Sequence, residues 1–122
     1  WPGKINPGIS NALVSQIDFI ASFADLLDIK LKPNEAPDSR STLQAFMGKD
    51  KKGLEYTLEE AGKMIAIRYN HWKYIPTKKN PQLYNLIKDK GERKNLRSDH
   101  PEIAKKLETK LNSLKASGRL RN

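Results

Sequence analysis

The sequence predicts an α+β fold: a small antiparallel sheet of about four strands, a C-terminal helix packed on it, and a separate helix in front. Three observations carry this. Apolar residues recur every three or four positions over 14–27, fall into two alternating sets over 64–75, and return to helical spacing over 103–114. The last helix is expected to lie on one side of the sheet, which gives the α+β architecture.

The opening stretch WPGKINPG holds two Pro-Gly pairs, Pro2-Gly3 and Pro7-Gly8, which fix turns rather than start an element. It reads as the exit from a preceding element, and so as a piece of a larger protein. In ALVSQIDFIASFADLLDI, the residues Val14, Ile17, Ile20, Ala21, Ala24 and Leu27 share one helix face, which predicts that this face is buried. Ser15 and Asp18 have capping-box spacing. Phe19, Phe23 and Leu26 widen the apolar surface, so this helix requires protein on more than one side.

The run KLKPNEAPDSRS follows, where Pro33 and Pro37 forbid regular helix, and it reads as a surface linker. STLQAFM predicts a short helix that stops at Gly48 in a left-handed conformation. GKDKKG is a polar turn and lacks the G-x-x-x-x-G-K-S/T order of a phosphate loop.

From Met64 the period is two. Met64, Ala66 and Arg68 alternate with Ile65, Ile67 and Tyr69, then Trp72 and Tyr74 with Lys73 and Ile75, which predicts a hairpin turning at Asn70 and His71. LEYTLEE and QLYNL supply the flanking strands. In the last segment, Asp99 and Glu102 are spaced as a capping box, Pro101 suits a first turn, and Ile103, Leu107, Leu111 and Leu114 follow one face. The tail ASGRLRN is predicted to fray.

Composition narrows the function classes. The 122 residues are 37% hydrophobic and 30% charged, and no apolar run approaches the roughly 18 residues of a membrane span. Cysteine is absent, which removes thiolate metal sites, disulfides and thiol nucleophiles from this chain. The net charge of +9 is uneven: residues 1–47 carry four basic against five acidic residues, and residues 48–122 carry 19 against 9, a balance of +10. That half could attract a polyanion, so a stand-alone basic α+β module binding polyanions is the alternative reading of the chain. Aromatic residues are few and not interleaved with arginine, which argues against nucleic acid.

Catalytic groups are sparse. His71 falls in a predicted turn and His100 beside a helix start, with no spacing that would pair them on a metal. Glu59/Glu60 and Asp25/Asp28 read as solvated surface, and Trp72 and Tyr74 as sheet packing.

The ordered series WPGKINPG, VSQIDFIASFADLL, APDSRS, GKDKKG, RYNHWKYI and QLYNLIKDKGERKNLRSDHPEIAKKL resembles the C-terminal portion of sulfatases of the arylsulfatase type, in the alkaline-phosphatase-like superfamily. The likeness spans nearly the whole chain. It implies that residues 1–32 end a larger catalytic α/β domain as its strand exit and last helix, that 33–49 form a linker with a short helix, and that 50–122 form a C-terminal α+β subdomain. It further implies a parent enzyme that hydrolyses sulfate esters of aryl compounds or sugars with a formylglycine and a calcium ion, both held by the missing N-terminal domain.

The formylglycine precursor pattern C/S-x-P-x-R does not occur in these residues: there is no Cys, and no Ser is followed two positions later by Pro. The resemblance therefore assigns this chain no catalytic residue and no metal or cofactor ligand. It predicts that the piece is inactive alone and serves as a structural or pocket wall. Its candidate contacts to substrate are Lys49 and Lys51 in the polar turn and Asn70 and His71 in the hairpin. The expected partners are the missing catalytic domain and a sulfated small molecule or glycan, with no membrane, in a periplasmic or secreted setting.

Overall fold

The computed structural model describes residues 1–118, so the last four positions of the predicted frayed tail lie outside the described residues. Two compact units divide the chain, Trp1–Glu55 and Tyr56–Asn122.

The first unit contains a 3-10 turn at Gln16–Asp18, helix α1 (Phe19–Leu26) and helix α2 (Leu43–Phe46). The predicted buried face of α1 is not buried: Ile20 is 58% exposed, Phe23 55% and Leu27 66%, with Val14 and Ile17 also open and Ala24 alone of the set inside. Asp18 and Ser22 are buried instead. The reason is polar. Residues 39–42 of the predicted linker run along this side of α1 and satisfy it group by group. The Arg40 N–H donates to Asp18 Oδ1 at 3.0 Å, the Ala21 N–H to Ser39 Oγ at 3.0 Å, and the Thr42 N–H to Ser22 Oγ at 2.9 Å. The Ser41 hydroxyl donates to Asp25 Oδ2 at 2.6 Å, so Asp25 is bonded rather than merely solvated. The linker thus gives up part of its water contact to cap a helix side that a burial pattern assigns to the surface.

Ser15 precedes the 3-10 turn without a side-chain capping bond, so the predicted box with Asp18 does not form. The Asp18 carboxylate is already engaged by the linker. Helix α2 ends as predicted. Gly48 has φ +73°, its N–H reaches Ala45 O, and the Lys49 N–H reaches Gln44 O at 2.8 Å, the paired bonds of a Schellman ending. Farther on, Gly53 (φ +67°) pairs with Leu13 as a parallel bridge, through Leu13 N–H to Lys52 O and Leu54 N–H to Leu13 O.

The second unit is the predicted sheet and helix. Strands β1 (Tyr56–Ala61), β2 (Met64–Tyr69), β3 (Trp72–Ile75) and β4 (Gln82–Asn85) pair antiparallel in sequence order. The β2–β3 turn sits at Asn70 and His71, where Asn70 takes φ +52°. Helix α3 (Pro101–Ser117) covers one face, and Tyr56, Ile67, Tyr74 and Leu83 of the sheet meet Ala104, Leu107, Leu111 and Leu114 in one core. Trp72 and Ile103 pack at its edge.

The α3 capping box predicted from Asp99 is displaced by one residue. Pro101 takes the first helical position, which makes His100 the N-cap and puts Glu102 a residue too early to reach back. At the other end Ala116 and Ser117 remain helical, and Gly118 closes α3 at φ +64°. The open edge of β4 is covered by residues 95–97. Asn95 Oδ1 accepts the Leu83 N–H at 3.0 Å, and the Leu96 N–H donates to Leu83 O at 2.8 Å.

The Tyr56 hydroxyl is buried and has no hydrogen-bond partner among the described residues, although the Lys110 ammonium lies 4.8 Å from the ring centre. Tyr56→Phe keeps the ring and removes an unsatisfied polar atom. It is expected to raise stability by about 1 kcal/mol, read as a higher urea midpoint. A loss of similar size would mean that the hydroxyl is bonded in solution.

Candidate functional site

The four residues singled out for substrate contact fall into two places. Lys49 and Lys51 belong to the first unit, where the turn after Gly48 forms one wall of a groove of about 490 Å³. Residues 4–10 form the other wall, which brings in Lys4, a residue that sequence reasoning passed over. The available signal was the Pro-Gly pairs of WPGKINPG, since a chain forced to turn twice makes a rim. Asp50, the acid nearest these lysines in sequence, is not among the residues that line the groove. Its carboxylate accepts the Lys52 N–H at 2.8 Å and the Gly53 N–H at 3.1 Å, and those backbone bonds hold its carboxyl below the ordinary range.

Asn70 and His71 sit in the second unit, at the β2–β3 turn. The His71 ring lies 5.4 Å from that of Trp72, and His100 meets the same Trp72 edge-on at 4.9 Å. The sheet and the start of α3 thus bring both histidines onto one tryptophan, which their separation in sequence hides. No group of three or more His, Asp or Glu side chains is arranged to hold a metal ion among the described residues.

On the face of the sheet away from α3, the Lys73 ammonium lies 2.8 Å from both Glu59 and Glu92. Glu59 is therefore part of an ion-pair cluster, not the solvated acid expected from sequence. Burial opposes the charge on Lys73, but the two carboxylates outweigh it, and the net direction is upward. On the α3 side the Tyr74 hydroxyl donates to Glu108 at 2.7 Å. Burial, then that bond and the charge of Glu108, push the phenol up to about 12.

Both groups make the second unit sensitive to alkali, with the same sign. The unfolded phenol ionises near its ordinary 10.0 while the folded one holds its proton to about 12. Unfolded Lys73 loses its charge from 10.5 upward while the folded one keeps it longer. Each contribution is complete below the unfolded value and is lost as pH rises through the folded one. The urea midpoint is expected to be flat from about pH 7 to 9 and to fall steadily above about 10. Tyr74→Phe should flatten part of that fall. These groups bond one another within the second unit.

No family model matches the chain. The sequence is 37% identical, over 132 aligned positions, to an N-acetylgalactosamine-6-O-sulfatase of Bacteroides thetaiotaomicron, an alignment that takes in 94% of this chain and 26% of that protein. A shorter match, 46% identical over 41 residues, joins 34% of the chain to 7% of an arylsulfatase of Hemicentrotus pulcherrimus. Among solved structures, a "6S-sulf" protein associated with metabolism of multiple glycosaminoglycans by Bacteroides thetaiotaomicron superposes with a TM-score of 0.87 at 35% identity, over 95% of this chain and 28% of that one. The chain thus spans about a quarter of the length of the relative that it matches along most of its own. By sequence and by fold together, the chain belongs to the sulfatase family and corresponds to its C-terminal region.

Proposed function

We propose that this chain is the C-terminal part of a sulfuric ester hydrolase acting on a sulfated glycan, in which it supports the catalytic domain and walls the entrance to its pocket. The observation that carries this is the 37% identity, along 94% of the chain, to a protein named for removal of a 6-O-sulfate from N-acetylgalactosamine. In this reading the nucleophile and the metal ion belong to the part of the parent that the chain does not include. No step of the reaction is assigned to the residues present here: among the described residues no group of three or more His, Asp or Glu side chains is arranged to hold a metal ion.

Residues 1–32 would close the catalytic domain, 33–49 would link, and 50–122 would form the C-terminal subdomain. The exposed apolar side of α1, with Ile20, Phe23 and Leu27, supports this division, since a helix with that surface gains from a partner layer. Lys49, Lys51, Asn70 and His71 remain the proposed contacts to substrate. The parent would be periplasmic or secreted; no helix among the described residues is long and apolar enough to cross a membrane.

The test is to express the chain alone and joined to the coding sequence upstream of Trp1, then to measure sulfate released from 6-sulfated N-acetylgalactosamine. Turnover by the longer protein and none by the chain is the expected outcome. Turnover by the chain alone would overturn the supporting role, and an upstream sequence without a C/S-x-P-x-R pattern would overturn the enzyme.

A further inference from the structure

The groove of the first unit has the composition of an anion site. Lys4, Lys49 and Lys51 line it, no acidic residue does, and none of the three lysines has an ion pair or side-chain hydrogen bond among the described residues. Asp50, between two of these lysines in sequence, stays ionised but is not among the residues that line the groove, and its carboxylate accepts the N–H groups of its own turn. The two walls are fixed by backbone. Lys4 and Ile5 N–H both bond Trp1 O, at 3.0 and 2.8 Å, and Lys49 and Asp50 N–H both bond Gln44 O, at 2.8 and 2.9 Å. Ile5, Ile9 and Phe46 also line it and supply apolar surface suited to the C–H faces of a sugar ring.

We propose that this groove binds a sulfate-bearing sugar of a glycan chain at a sulfate other than the one being hydrolysed, with Lys4, Lys49 and Lys51 as the charge clamp. The inference rests on the sulfatase reading for the identity of the polymer and adds a site to it. Nucleic acid fits less well. A stacking platform needs a free aromatic face, and Phe46, the one aromatic ring lining the groove, is packed against Phe19 at a centroid distance of 5.3 Å. At about 490 Å³ the groove is of a size for a small saccharide unit rather than a long polymer track.

The test is calorimetric titration of the 122-residue chain with a chondroitin 6-sulfate hexasaccharide, backed by amide shifts. The triple variant K4Q/K49Q/K51Q is compared with K63Q/K78Q/K79Q, which lowers net charge equally at exposed lysines outside the groove. Removing three surface cation–sulfate contacts is expected to raise Kd about tenfold, against less than about twofold for the control. Amide shifts should concentrate in residues 4–10 and 45–53. Equal weakening by both variants, no binding by the parent chain, or equal displacement by a DNA oligonucleotide of matched charge would each overturn the site. None of these outcomes bears on turnover by the longer protein, so a failed groove and a failed sulfatase assignment are told apart. In that longer protein the groove variant should raise KM for the hexasaccharide.

Discussion

Gly53→Ala is expected to destabilise the first unit by about 3 kcal/mol or more, the largest effect of any glycine substitution in the chain. A Cβ at this position would lie 2.2 Å from Leu13 O and 2.8 Å from Leu13 N, both backbone atoms that cannot rotate aside. The left-handed φ of +67° adds a cost of about 1–2 kcal/mol for a residue with a Cβ. Relieving the clash requires separating the strands of the bridge, which puts at risk the Leu13 N–H to Lys52 O and Leu54 N–H to Leu13 O bonds, each worth about 1 kcal/mol. Gly62→Ala is the matched control: its φ is +60°, but an added Cβ meets nothing within 4 Å. That variant should cost only about 1–2 kcal/mol. Urea denaturation of the two proteins, with amide exchange at Leu13 and Leu54, measures the difference. Equal costs would show that the backbone approach at Gly53 is not closely held.

Leu111→Ala is expected to remove about 3–4 kcal/mol from the second unit. Leu111 is fully buried on α3, in the cluster that includes Ile67, Tyr74 and Leu83 of the sheet. Truncation there loses the transfer energy of the side chain and leaves a cavity between a helix and a sheet that cannot easily close. Since a domain has only about 5–15 kcal/mol to lose, such a change should lower the urea midpoint strongly. Ile87→Ala, at a residue 72% exposed, should stay within about 0.5 kcal/mol. A Leu111→Ala cost below about 1.5 kcal/mol would mean that α3 is only loosely seated on the sheet.

Of the two substitutions, only the one at Gly53 also bears on the proposed binding. Gly53 ends the turn that carries Lys49 and Lys51, so its variant should also weaken binding at the groove site proposed above. Leu111 lies far along α3 from His100, so its effect should appear in stability of the second unit alone.

The second unit was largely legible in the sequence because each of its elements buries a face with a simple period. Alternation over Met64–Ile75 placed both strands of the central hairpin, and Asn70 marked its turn. The run Ile103, Leu107, Leu111, Leu114 named the side of α3 that the sheet covers. Gly48 announced the end of α2, since few other residues take a left-handed helix end cheaply. The ordered motifs along the chain pointed to the sulfatases, and the sequence and fold matches agree with them.

Other features were set by contacts between residues far apart in the chain. The side of α1 that is buried was decided by the linker, because Ser39, Arg40, Ser41 and Thr42 offer hydrogen-bond partners to Asp18, Ala21, Ser22 and Asp25. A hydrophobic period cannot register such partners. The meeting of His71 and His100 on Trp72, the Lys73 clamp on Glu59 and Glu92, and the groove between residues 4–10 and 45–51 arise in the same way. Local periodicity and turn chemistry fixed the elements, since both act over a few residues. Tertiary structure alone chose which polar groups face one another, since that choice depends on where distant loops find donors and acceptors that water would otherwise supply.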